Sequence, residues 1–133
     1  MKRHKLLVRD DDGTLRELRS KDTLWYYLYA NTPPLNKHLF RQFRMRFCMP
    51  YDSFISLSNE IKNHDIFNHW LCHDGAGEPP SNMKLLLLGV LRCIGRAWTL
   101  DDVEEANGIS REVNRIFLNS FLEKCGLLPL IFH

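Results

Sequence analysis

No catalytic signature is present in the 133 residues. There is no G-x-x-x-x-G-K-[ST] phosphate loop, no G-x-S-x-G nucleophile elbow and no H-E-x-x-H metal helix. Cys48, Cys72, Cys93 and Cys125 are widely spaced, and none belongs to a C-x-x-C pair. That spacing points to reduced thiols without disulfides, as in an intracellular protein. A secretory leader is not expected, because the basic residues 1–5 run into Asp10–Asp12 rather than into an apolar segment. The longest apolar stretch, residues 83–94, is well short of the roughly 20 residues that span a bilayer. A strong net charge is also missing. At +2 the chain as a whole is not a polybasic nucleic-acid binder.

What is present is a globular composition, 44% hydrophobic and 11% aromatic, which can bury a core in one domain. The charge is unevenly spread. Residues 1–50 hold 11 Lys/Arg against 5 Asp/Glu, and residues 51–133 hold 7 against 11. A basic N-terminal part suits a phosphate-contacting face; it equally suits a solvated basic tail.

The pattern predicts an all-α fold, a small helical bundle with a helix-turn-helix-like segment and a flexible N-terminal arm. Residues 1–21 form the arm, weakly ordered, with a hairpin around Asp12-Gly13. Residues 22–125 form the helical domain, and residues 126–133 an apolar tail. Residues 22–31 read as a short aromatic helix with Leu24, Tyr27 and Leu28 on its buried side. Residues 36–47 read as a basic amphipathic helix with Leu39, Phe40, Phe43 and Phe47 inward. A helix then starts at Pro50, with Phe54, Leu57 and Ile61 inward. Residues 70–80 are a loop. Residues 83–94 are apolar nearly all round, which places that helix at the centre of the bundle. Gly95-Arg96 ends it. Thr99 caps a short acidic helix that Asn107-Gly108 terminates, and Ser110 caps a last helix.

In that last helix Val113, Ile116, Phe117 and Phe121 fall on one stripe. A short helix, a glycine turn and a helix with Arg and Asn on its early exposed face is the layout of a helix-turn-helix DNA reader. With Gly108 as the turn glycine, Val103, Ile109 and Phe117 match the apolar positions of a strict template. Asn107 and Asn114 do not. An αα-hairpin in an ordinary bundle gives the same pattern. The DNA reading assigns Ser110 to the helix cap and a phosphate, Arg111 and Arg115 to guanine, and Asn114 to adenine. Lys37, Arg41, Arg44 and Arg46 would support them on the backbone.

His64, His69, Cys72 and His73 have metal-ligating types but form one loose cluster rather than two close pairs. The acids Asp101, Asp102, Glu104 and Glu105 sit on one exposed helix. Neither set is taken as a metal site, and no cofactor is expected.

The run Phe43-Arg44-Met45-Arg46-Phe47-Cys48-Met49-Pro50-Tyr51 followed by Phe54, the aromatic run 25–29, and residues 87–105 followed by Gly108-Ile109-Ser110, Phe117 and Phe121 together resemble Harbinger-type (PIF/Harbinger) transposases. The resemblance covers about residues 23–124. Cys48 departs from it, where an arginine is expected. The resemblance implies the DNA-binding N-terminal region of a transposase-derived nuclear protein. In that family a DDE nuclease domain with bound divalent metals follows. No position here matches that domain's motifs, so the chain is expected not to cut DNA by itself and to be a truncated or domesticated remnant. The implied partners are DNA and a separate Myb-like protein or a second copy. A helical protein-interaction module and a remnant without function are the alternatives.

Overall fold

The computed structural model describes residues 7–30, 37–63 and 82–124. Its described part is a small all-α bundle with one two-stranded hairpin. The elements are β1 (Leu7–Arg9), β2 (Leu15–Glu17), α1 (Lys37–Phe47), α2 (Tyr51–Lys62), α3 (Met83–Arg96), α4 (Leu100–Asn107) and α5 (Arg111–Lys124). A 3-10 turn at Ser20–Asp22 and a wide π-helical turn at Tyr26–Ala30 join the hairpin to α1. The expected loop at 70–80, the cluster of His64, His69, Cys72 and His73, and the tail 126–133 lie outside the described residues.

Helix α3 occupies the centre, as its all-round apolar sequence requires. Asn82 starts it by accepting hydrogen bonds from the Lys84 and Leu85 amides at 2.9 and 3.2 Å. Met83 and every residue from Leu85 to Leu91 are buried. α1, α2, α4 and α5 all pack on α3, as does the aromatic turn. Gly89 permits a close approach of α4: a Cβ there would stand 2.5 Å from the Val103 methyl. α3 runs two residues beyond its expected end. It stops at Ala97 in the left-handed conformation (φ 55°), where Trp98 N–H returns to the Arg92 carbonyl.

The aromatic turn packs differently from its expected side. Leu24 and Tyr27 face solvent, at 60% and 68% exposure, whereas Trp25 and Tyr29 are buried. Trp25 and Tyr29 fall on the side that meets the rings of α1 and Trp98. Trp25 stacks on Trp98 and meets Phe47 edge-on, and Tyr29 meets Phe43 and Phe47 edge-on, all at 5.2–5.7 Å. α1 buries Phe43 and Phe47, but Phe40 is partly exposed and meets Tyr51 edge-on. In α2, Pro50 is the N-cap rather than the first helical residue.

Residues 7–17 form the expected hairpin, Leu7 opposite Glu17 and Arg9 opposite Leu15. Arg16 bonds to Asp10 within the hairpin (2.8 Å) and fastens it to the following turn through Asp22 (2.6 Å). The guanidinium holds the Asp22 carboxyl down to about 2. No helix among the described residues is long and apolar enough to cross a membrane.

Candidate nucleic-acid interface

The segment α4–turn–α5 is built by two caps and one buried amide pair. Thr99 Oγ1 accepts from the Asp102 amide while the Asp102 carboxylate accepts from the Thr99 amide, which closes the first turn of α4. Gly108 ends α4 at φ 69°. Ser110 Oγ accepts from the Val113 amide and caps α5 as expected.

Asn107 and Asn114, the two residues that miss an apolar template, are both buried, at 0% and 4% exposure. Asn107 Nδ2 donates to Asn114 Oδ1 (2.8 Å) and to the Leu85 carbonyl (3.3 Å). Asn107 Oδ1 accepts from the Ile109 amide (2.9 Å). Asn114 Nδ2 donates to Asn107 Oδ1 and to the Ile109 and Ser110 carbonyls at 3.0–3.3 Å. The pair therefore satisfies its own polar groups and those of the turn, and it ties α3, α4 and α5 together. The assignment of Asn114 to adenine is corrected by this geometry, since a buried amide with its donors committed cannot reach a base edge. Ile116 takes the complementary position. It was expected inward, and it is 39% exposed.

Arg111 and Arg115 are exposed on α5, and each already faces an acid. Arg111 lies 3.5 Å from Asp101, and its backbone N–H donates to Glu104 at 3.0 Å. Arg115 pairs with Glu112 one turn away through two bonds, which lowers the Glu112 carboxyl below its ordinary value. Exposed pairs of this kind are weak and are screened by salt, so a phosphate can displace the acids. The nearby Asp102 and Glu105 remain, and the face is not uniformly positive.

The cations of α1 divide into two groups. Lys37, Arg41 and Arg44, at i, i+4 and i+7, share one stripe. Arg41 and Arg44 flank a groove of about 290 Å³ with Phe40, Pro50, Tyr51 and Asp52. Arg46 lies on another side, within 3.4 Å of the Tyr29 hydroxyl and beside α3. Sequence reasoning missed its neighbours there. Arg92 donates to the Arg46 carbonyl and Arg96 to the Met45 carbonyl, each at 2.6 Å. Their spacing on α3 (i, i+4) was the available signal, obscured because that helix reads as apolar throughout.

α1 and α5 are both held by α3, so the expected backbone-supporting and base-reading residues form separate patches on one frame rather than a single cluster. No family model, no curated protein and no solved structure matches the chain.

Proposed function

We propose that the chain is a DNA-binding helical domain of a Harbinger-type transposase-derived protein. On this reading it does not cleave DNA alone, acts in the nucleus, and works with a Myb-like partner or a second copy. The observation that supports it best is the α4–turn–α5 unit. A capped helix follows a left-handed glycine turn, is locked against α3, and presents Arg111 and Arg115 outward. That is the arrangement by which a helix-turn-helix offers its second helix to the major groove. Arg111 and Arg115 would read guanine. Ser110, at the start of the same helix, would lie near a backbone phosphate, and the Lys37–Arg41–Arg44 stripe would contact phosphates elsewhere.

The test is a titration of a selected duplex with the native chain and with Arg115→Ala. The expected loss is roughly 10- to 100-fold in affinity at the preferred site, with base preference relaxed at one position. Unchanged affinity and unchanged preference would remove α5 from the reading role.

A second reading, docking of a basic protein segment, has its own supporting feature. Trp98, Asp102, Glu105 and Ala106 line a groove of about 360 Å³ next to the exposed Ile116-bearing helix. Two carboxylates on the wall of one groove suit a cationic side chain. Binding of duplex DNA without binding of a basic peptide favours the first reading, and the reverse favours the second.

A further inference from the structure

Three arginines meet where the end of α1 touches α3. Arg92 and Arg96 each use a terminal guanidinium nitrogen to bond the last carbonyls of α1. The Arg92 guanidinium carbon also lies over the Trp98 ring, 4.0 Å from its centroid, which helps to position that guanidinium. Arg46 belongs to the same turn of α1 and is exposed. Among the described residues no carboxylate pairs with Arg46, Arg92 or Arg96. Burial lowers the Arg92 pKa, and the like charges of Arg96 and Arg46 lower it further.

This arrangement is costly for an isolated chain. Like charges close together repel, and here no acid offsets them as Asp10 and Asp22 do for Arg16, Asp101 for Arg111 and Glu112 for Arg115. Two helix-end carbonyls offset part of the repulsion but carry only partial charge. Each guanidinium has five donors; Arg92 and Arg96 each spend one on a carbonyl of α1, Arg46 spends one on the Tyr29 hydroxyl, and Arg92 Nε is buried, which leaves the other terminal N–H groups for a ligand. The remaining exposed donors, on guanidiniums that α1 and Trp98 help to position, suit the non-bridging oxygens of a phosphate.

We propose that Arg46, Arg92 and Arg96 form a phosphate seat that grips a backbone phosphate of duplex DNA, separate from the Lys37–Arg41–Arg44 stripe and from α5. The inference rests on the DNA-binding reading for the source of the phosphate, and on the three-arginine geometry for the seat itself. It gives the α1–α3 corner a binding role that neither the helix-turn-helix layout nor α1 alone supplies.

The experiment compares the native chain with Arg96→Gln and Arg96→Lys. Glutamine keeps a donor for the Met45 carbonyl without the charge, and lysine keeps the charge. Two readouts are taken: the slope of log affinity against log salt for a random duplex, and the shift in melting temperature with inorganic phosphate. The seat predicts that the slope falls by about 0.9 in Arg96→Gln, as for one lost phosphate contact, and returns in Arg96→Lys. It also predicts that phosphate raises the melting temperature of the native chain more than that of Arg96→Gln. Duplex binding with an unchanged slope in Arg96→Gln overturns the DNA contact. Phosphate stabilisation equal in the native chain and Arg96→Gln overturns the seat. A native chain that binds no duplex yet shows Arg96-dependent phosphate stabilisation overturns the DNA source and keeps the seat as a free-phosphate site, so the two failures are distinguishable.

Discussion

Asn114→Ala lowers the stability of the domain by about 2–4 kcal/mol, and Asn107→Ala does the same. The size follows from burial. Each amide is almost wholly removed from water and satisfies groups on two other elements. Truncating one leaves its partner's donor or acceptor unpaired, at about 1–3 kcal/mol, and leaves backbone groups of the turn unpaired as well. The vacated volume adds a packing loss. Because the two side chains share bonds, the losses are not independent. The double variant Asn107→Ala/Asn114→Ala should cost less than the sum of the singles by more than about 1 kcal/mol. Urea melts of the four proteins measure this coupling. Strict additivity would mean that the amides act separately and that the pair does not clasp α4 to α5.

Gly108→Ala produces the second large effect, about 2–5 kcal/mol, and it reaches the hairpin as well as the turn. Two costs add. A Cβ at φ 69° costs roughly 1–2 kcal/mol. The same Cβ would stand 2.7–2.8 Å from the Arg19 carbonyl carbon and oxygen and the Ser20 nitrogen. Those are backbone atoms and cannot rotate away, so overpacking adds about 1–3 kcal/mol. The chain can relieve the clash only by releasing residues 19–20 from the turn. Amide exchange in residues 7–22 should therefore accelerate in Gly108→Ala beyond what the global stability loss explains. Gly108→Asn separates the two costs. Asparagine tolerates the left-handed conformation but keeps the Cβ, so it should release the hairpin too. Native-like protection of residues 7–22 in Gly108→Asn would show that the contact with Arg19 and Ser20 carries no weight.

Local rules made most of the helices legible. Thr99, Ser110 and Gly108 announced helix ends by residue type, and the structure uses them as caps or terminators. The centrality of α3 followed from its lack of a polar face. What failed was the choice between faces where two residue types competed. Trp25 and Tyr29 displaced Leu24 and Tyr27 because the turn can bury only one of its sides, and Trp25 with Tyr29 packs against Phe43, Phe47 and Trp98 as a ring cluster. Asn114 was read as a surface asparagine because its type is usually exposed. Its partner Asn107 lies seven residues away across a turn, and only the packed α4–α5 pair shows that they meet. The N-terminal hairpin was legible from Asp12-Gly13, but its docking on Gly108 was not, since that contact joins residues about ninety positions apart in sequence.

The candidate interface was legible in part for the same reason. Arg111, Arg115 and the α1 cations could be named from sequence, and their exposure agrees with that choice. Their counter-charges could not be read. Glu112 neutralises Arg115 within α5, and Asp101 reaches Arg111 from α4. The unpaired arginines Arg92 and Arg96 sit in a stretch whose apolar character hid them.

Enrichment of the native chain on a random duplex pool, at low and at near-physiological salt, tests DNA reading by α5 most directly. The account predicts selective enrichment that survives the higher salt and disappears in Arg111→Ala/Arg115→Ala. Binding that is unselective and vanishes with salt, or selectivity unchanged in the double variant, would contradict it.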